Sequence, residues 1–255
     1  MNNFATNKSS ILAPVISCRG LDKWYAGVHA LKNVDLDIYQ GEVIGLVGDN
    51  GAGKSTLINI LSGVHPPDAG EIRVNGTLVD IDCTRTAIDL GIETIYQHTA
   101  MVPTLSIARN IFLGRELMSF SVGGFGWINN KKMCDEATRA LALVGQAARS
   151  PNALIGELSG GQRQGVAIAR AMYFKSKVMI LDEPTNHLAV KEINRVLEFV
   201  QQLKAQGVTV VFISHNIYHV YPICDRIVMM ARGAKIADNV KADTSIDEIH
   251  HLLGA

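Results

Sequence analysis

The chain has 255 residues, 24 lysines and arginines against 24 aspartates and glutamates, and 47% apolar content, enough for one large α/β domain or two smaller units around a sizeable core. The balanced charge offers no basic field and no acidic tail, so no nucleic-acid partner is expected. The longest apolar stretches, Val178–Leu181, Val208–Ile213 and Ile227–Ala231, fall far short of the ~20 residues of a membrane span. The run Ile11-Leu12-Ala13-Pro14-Val15-Ile16 is too short for a signal segment and broken by proline, leaving a soluble cytosolic chain as the expectation.

Residues 1–13 are polar and irregular and read as a flexible lead-in. Val15–Arg19 and Asn33–Ile38 read as strands, the second alternating Val34, Leu36 and Ile38 with Asp35 and Asp37. Val43–Val47 is a short buried strand, followed by a helix from about Gly53 to Gly63. A proline-rich turn at 65–70 leads to a hairpin of Glu71–Val74 and Thr77–Ile81 around Asn75-Gly76. Thr84–Leu90 predicts a short helix and Ile92–Tyr96 a strand.

From His98 to about Ala171 the pattern is mainly helical, interrupted by glycines at Ser121–Gly126. Strand and helix then alternate again: Val178–Leu181, a helix near Val190–Gln206, Val208–Ile213, a short helix at Ile217–Tyr221, and Arg226–Met230. Such alternation predicts a mostly parallel sheet covered on both faces, with an inserted helical subdomain at about 98–171. Cys18, Cys83, Cys134 and Cys224 are scattered without a CxxC pair and read as reduced structural thiols. No internal repeat is visible.

Gly48-Asp49-Asn50-Gly51-Ala52-Gly53-Lys54-Ser55 matches GxxxxGK[ST] between a predicted strand and a predicted helix. The glycines let backbone N–H groups turn inward on a phosphate at a helix N-terminus. Lys54 is then in reach of the β- and γ-phosphates of ATP, the Ser55 hydroxyl can ligate magnesium, and Thr56 is the next donor along the helix. Val178-Met179-Ile180-Leu181-Asp182-Glu183 is an apolar strand that ends on two carboxylates. Asp182 at the carboxyl edge of the sheet would hold magnesium, directly or through water. Glu183, one residue on, is set to polarise an attacking water as general base.

Leu158-Ser159-Gly160-Gly161-Gln162, followed by Arg163-Gln164-Gly165-Val166-Ala167-Ile168-Ala169-Arg170-Ala171, resembles the signature motif of the ATP-binding-cassette (ABC) ATPases. The resemblance runs from about Ile16 to Met230 and implies one nucleotide-binding domain over 14–253. Its core would be of the phosphate-loop NTPase (RecA-like) α/β class, with an antiparallel β subdomain and the inserted helical one. It further implies that Gln97 is the glutamine that senses magnesium and the attacking water, and that His215 contacts the γ-phosphate. Tyr25 aligns with the aromatic that stacks on adenine, with Trp24 beside it as a rival. In the family, Ser159, Gly160, Gly161 and Gln162 close on the ATP of the opposite subunit, so a homodimer of cassettes is implied.

Within the family the phrasing is similar to that of the simple-sugar importers, in particular the single-cassette fructose and ribose type. That likeness implies membrane permease subunits, indirectly a sugar-binding protein, and a peripheral position on the cytoplasmic face of the inner membrane. The helical insertion and the loop after Gln97 would be the docking surface, with Phe112, Leu113, Met118 and Phe120 either contact residues or core. Two departures stand out. The triplet Asn186-His187-Leu188 is followed by Ala189, where many members carry Asp in the loop that couples the two ATP sites. Glu183–Leu188 is also similar to the translation-factor branch, so a soluble ABC ATPase of that kind or of a DNA-associated kind is the alternative, although no second cassette or charged linker is seen.

Overall fold

The computed structural model describes residues 13–95, 101–122, 125–145, 149–174, 176–186 and 188–254. The expected strand tip Tyr96, Gln97, His98 and His187 lie outside the described residues.

The chain opens with a long hairpin, β1 (Ile16–Tyr25) and β2 (Val28–Ile38). Both strands run further than their sequence suggests, because the turn is made by Ala26 and Gly27 at φ 44° and 89°, whose twist matches that of the strands. Leu21, Trp24, Val28 and Leu31 are mixed there with Asp22, Lys23, His29 and Lys32, and register shifts on either side of Leu21 and Lys23 break the period. β4 (Ala69–Val74) pairs with β1 and β5 (Thr77–Val79) with β4, giving an antiparallel sheet of order β2-β1-β4-β5. β5 stops two residues before the expected Ile81.

The central sheet contains β3 (Val43–Val47), β6 (Ile92–Ile95), β9 (Val178–Asp182), β10 (Thr209–Ile213), β11 (Arg226–Ala231) and β12 (Ala234–Val240) in the order β12-β11-β3-β10-β9-β6. All neighbours are parallel except β11 and β12. The side chains alternate between two cores. Ile44, Leu46, Ile180, Val211, Ile213, Val228 and Met230 face the antiparallel sheet and α1 (Lys54–Leu61). Val43, Val47, Met179, Leu181, Val210, Phe212, Ile227 and Met229 face α6 (Val190–Ala205), α7 (Ile217–Val220) and α8 (Ile246–Leu253). Gly45 falls on that second face, where a Cβ would sit 2.2 Å from Val220 Cγ1, so glycine lets α7 pack onto the strand.

A third core unites α3 (Ile107–Ile111), α4 (Asn130–Leu143) and α5 (Gly160–Tyr173) through Ile111, Phe112, Met133, Leu141, Leu158 and Val166. The short helix α2 (Thr84–Asp89) lies on the approach to β6. The expectation of a mainly helical stretch is corrected inside this block. Met118–Val122 and Phe125–Ile128 form a two-stranded antiparallel ribbon, β7-β8, around the glycine-rich segment. The region beyond Met230 also holds β12 and α8, which the sequence reading did not include.

Arg226 locks the two sheets together. It pairs with Glu42 Oε1 at 2.8 Å and Asp238 Oδ1 at 2.6 Å, and donates to the Asp37 carbonyl at the end of β2. Burial alone would lower its pKa, but the Glu42 and Asp238 carboxylates hold it above its ordinary value. Removing the cation would leave Glu42 without its ion pair in a largely buried site, while Asp238 keeps Lys235 at 3.1 Å. Arg226→Met is expected to cost about 3 kcal/mol of unfolding free energy, measured by equilibrium urea denaturation; a loss under about 1 kcal/mol would mean the cluster acts like a surface ion pair.

Candidate functional site

The site assembles on one rung of the central sheet. Ile213 of β10 is in register with Leu46 of β3 on one side and Asp182 of β9 on the other, while Leu181 stands opposite Ile95 of β6. The loops that leave these strands therefore emerge side by side at their carboxyl ends, where the strand order doubles back around β3. Gly48 follows β3, Glu183 follows β9 and His215 follows β10. Gln97, expected beside them after β6, lies outside the described residues.

The phosphate loop closes tightly over this edge. Gly48 has φ 154° and Gly53 φ 102°; a Cβ on Gly48 would lie 2.3 Å from the Met230 carbonyl, and one on Gly53 2.8 Å from the Ala30 carbonyl. Gly51, at φ 82°, has open space around it, so its glycine answers to backbone conformation rather than to packing. The Ala52 N–H donates to the Asp49 carbonyl at 3.1 Å, and the Ala52 carbonyl accepts from Gly233 at 3.0 Å. Asn50 and Ser55 are exposed, and Thr56 is half-buried on the first turn of α1.

Lys54 is buried within its own loop, its ammonium donating to the Gly48 carbonyl at 2.5 Å and the Asp49 carbonyl at 2.9 Å. Burial lowers its pKa, opposed by the charges of Glu183, Asp182 and Asp49. Asp182 is pushed the other way: burial and then the Glu183 charge raise its pKa, against the pull of Lys54.

Glu183 sits in the left-handed region, at φ 50°, a conformation unfavourable for a side chain with a Cβ and concentrated at functional sites. Its N–H donates to the Ile213 carbonyl at 3.0 Å. Its carboxylate accepts from Ser214 Oγ at 3.2 Å, from the His215 N–H at 3.0 Å, and meets His215 Nδ1 at 2.9 Å. The structure thus joins His215 directly to Glu183, a contact the sequence did not disclose.

Sequence reasoning also missed a supporting network. Asn216 Oδ1 accepts from the Tyr218 N–H, which turns its amide nitrogen toward His219 Nε2 at 3.3 Å. The Asn216 amide donates, so His219 Nε2 is the acceptor and His219 Nδ1 donates to Thr185 Oγ1 at 3.0 Å. The network ties the segment after Glu183 to the segment after His215. Its signal in the sequence was only a second histidine four residues beyond the first.

Ser159 caps α5. Its Oγ accepts from the Gln162 N–H at 3.3 Å and the Gln162 side chain accepts from the Ser159 N–H at 3.0 Å, a reciprocal capping box. Gly160 and Gly161 supply N–H groups that the first turn of a helix leaves unpaired. A cleft of about 530 Å³ beside them is lined by Ser159, Gly161, Gln162, Glu192 and Arg195 among others, with no residue of the phosphate loop. Ala189 occupies the N-cap of α6, where Glu192 Oε2 accepts from its N–H at 3.4 Å; lacking an acceptor, the alanine cannot return the cap.

Tyr25 and Trp24 end β1. Trp24 lies flat on His29, with ring centroids 3.9 Å apart and planes 8° from parallel; Tyr25 meets His65 only edge-on, at 5.7 Å. No group of three or more His, Cys, Asp or Glu with metal-binding geometry occurs among the described residues. Magnesium does not need one, since it keeps several waters and takes one or two carboxylates plus phosphate oxygens. The half-buried Asp182, crowded by Glu183 and adjoining the phosphate loop, has the donor chemistry that such an ion requires.

A family model described as ABC transporter matches residues 31–186. The chain is 43% identical over 246 residues to a fructose import ATP-binding protein of Rhizobium meliloti, covering 95% of each. It is 42% identical over 242 residues to a xylose/arabinose import ATP-binding protein of Sulfolobus acidocaldarius, covering 95% of this chain and 94% of that one. Among solved structures, a nucleotide-free ATP-binding cassette from an ABC transporter superposes with TM-score 0.80 at 25% identity, over 95% of this chain and 96% of that one. A dimeric bacterial ABC transporter cassette gives TM-score 0.73 at 26% identity, over 89% and 98%.

A carboxyl whose pKa is raised on folding favours the folded state below its unfolded pKa and loses that contribution as pH rises through the folded value. Ionised Asp182 therefore costs stability at neutral pH. Asp182→Asn is expected to raise the thermal midpoint of the nucleotide-free chain at pH 7, with the gain shrinking as pH falls into the carboxyl range. A midpoint that falls at pH 7 contradicts this.

Proposed function

We propose, from the premise that this chain belongs to the ABC transporter family, that it energises the import of a simple sugar as a pair of cassettes bound to membrane permease subunits. It is an ATP-hydrolysing enzyme with a phosphate-loop NTPase core. The observation that carries the sugar reading is the end-to-end similarity to the fructose and xylose/arabinose import proteins, each a single cassette of this length. No helix among the described residues is long and apolar enough to cross a membrane; in this reading the partners supply the membrane part. The proposed position is peripheral, on the cytoplasmic face, with a sugar-binding protein acting indirectly.

In this reading ATP lies along Gly48–Ser55 with its phosphates on the loop N–H groups. Lys54 exchanges its two carbonyl acceptors for β- and γ-phosphate oxygens. Ser55 and Asp182, with Gln97, would hold the magnesium ion, which when bound neutralises phosphate charge. Thr56 adds a donor at the helix start. Glu183 accepts the proton of the attacking water, its carboxylate held in place by Ser214 and His215. His215 then carries a second role toward the γ-phosphate. Tyr25 is the proposed adenine platform, with Trp24 as its rival: His29 covers one face of Trp24, and Lys23 Nζ stands 5.6 Å from the centroid of the Tyr25 ring.

Ser159, Gly160, Gly161 and Gln162 serve the ATP of the opposite cassette. Support comes from their own geometry: a capped helix start faces a cleft that contains none of the phosphate loop. The dimeric cassette among the structural neighbours supports the same arrangement. Hydrolysis needs little covalent chemistry beyond an aligned water and neutralised charge, so completing the donor set governs the rate.

A cleft of about 170 Å³ between α2, β6 and α5 supports permease docking on this side of the helical block. It is lined by Ile88, Ile92, Ile95, Met101 and Ala167 around buried Glu93. Arg170 Nε lies 3.3 Å from Glu93 Oε1 but is misaligned for a hydrogen bond, and Thr94 Oγ1 also has no partner among the described residues. An apolar cleft with unspent polar groups suits an inserted helix end. Of the residues considered for contact, Phe112 is core, whereas Met118 and Phe120 are exposed at 42% and 63%.

Glu183→Gln should leave ATP affinity intact and lower turnover roughly 100-fold or more, read by phosphate release with the permease co-expressed. Unchanged turnover would remove Glu183 from the role of base. Retention of the chain in washed membranes is expected only when the permease is present; soluble behaviour in both cases contradicts docking.

A further inference from the structure

The contacts around Glu183 close into a ring. Ser214 Oγ donates to Glu183 Oε2 at 3.2 Å and accepts from the Asn216 N–H at 3.1 Å. The Asn216 amide donates to His219 Nε2 at 3.3 Å, and His219 Nδ1 donates to Thr185 Oγ1 at 3.0 Å. Thr185 lies two residues beyond Glu183 on the segment between β9 and α6, so the backbone completes the circuit. The ring thus grips Glu183 from two sides, its carboxylate through Ser214 and its backbone through Thr185.

The imidazole of His219 is not what holds α7 in place. Ile217 and Val220 are buried in the second core and the Asn216 side chain caps the helix, so its four residues are anchored without it. The imidazole instead reaches across to the buried Thr185 and uses both ring nitrogens. Only the neutral ring carries one donor and one acceptor. Burial, and then the neighbouring His215, lower the His219 pKa against the pull of Glu183, which keeps the ring neutral near pH 7.

The need for such a grip lies in the backbone. Glu183 stands at φ 50°, where a residue with a Cβ persists only when its surroundings hold it. A turn of the chain at that point swings the whole carboxylate, and Ser214 and the His215 ring restrain only its tip.

We propose that His219 is a positioning residue for ATP hydrolysis, which fixes the backbone and carboxylate of Glu183 through Thr185 and Asn216 without touching the nucleotide. The inference rests on the proposed role of Glu183 as base and adds the residue that keeps that base aimed. Aim governs rate here, since misplacing a reacting group by about 1 Å costs up to roughly 100-fold.

The test separates turnover from binding. His219→Leu in the purified chain should lower kcat roughly tenfold or more. Its affinity for ATP, measured by equilibrium binding, should change by less than about twofold. His219→Gln should recover most of the lost turnover, because an amide offers a donor and an acceptor on either side of one carbon, as the imidazole does. Thr185→Val opens the same ring from the other side and should give the same split, without adding to His219→Leu. It also decides the matter if the leucine variant loses its urea midpoint. In a Glu183→Gln background, His219→Leu should have little further effect.

Parent-like turnover in both His219→Leu and Thr185→Val overturns the proposal. So does a loss confined to ATP affinity, a glutamine variant as slow as the leucine one, or an undiminished loss in the Glu183→Gln background. Turnover that survives Glu183→Gln alone would instead remove the base itself, so the two readings fail separately.

Discussion

The register of β10 between β3 and β9 is the constraint on which the site depends. Leu46, Ile213 and Asp182 share one rung, and the next hydrogen bonds, Ser214 N–H to the Leu46 carbonyl and Glu183 N–H to the Ile213 carbonyl, carry the alignment past the strand ends. A slip of one residue would exchange the two cores and turn the loops away from one another. Both faces are apolar, so shape opposes the slip: α7 packs onto β3 only where Gly45 lies, since a Cβ there would sit 2.2 Å from Val220 Cγ1. The chemistry at the edge is thus held by burial several residues away from it.

That alignment brings like charges together, which is where the local cost lies. Asp182 and Glu183 are consecutive, Asp182 is half-buried, and the nearby cation Lys54 is itself desolvated and turned onto carbonyls of its loop. Glu183 adds an unfavourable backbone conformation and is held there by Ser214 and His215. Each of these features opposes folding and suits a polyphosphate with its counter-ion, so the strained edge and the proposed substrate explain each other.

The legible parts of the sequence were those with a period or a fixed spacing. The central strands are short unbroken apolar runs, and the phosphate loop, the acidic strand end and the capped signature helix each carry a local mechanism readable from their residues. The ribbon β7-β8 was hidden by its neighbours: it lies between helices and shows aromatics on an exposed surface, where no core imposes alternation. β12 was masked because Ala234–Val240 is a polar edge strand held by one neighbour. The helix α8 did carry a signal, Ser245 accepting from the Glu248 N–H, but over only eight residues. Side-chain partnerships such as Glu183 with His215 depend on rotamers and lie beyond any linear pattern.

The proposed catalytic unit is larger than the chain. Lys54, Asp182, Glu183 and His215 gather at one edge, while Ser159–Gln162 open onto a separate cleft. The most direct test is ATP turnover per chain as a function of chain concentration for the purified protein. If each site is completed by a second chain, turnover per chain rises with concentration and then levels off. Turnover that stays constant down to the most dilute active sample would show that a single chain holds the whole site, and would contradict the account.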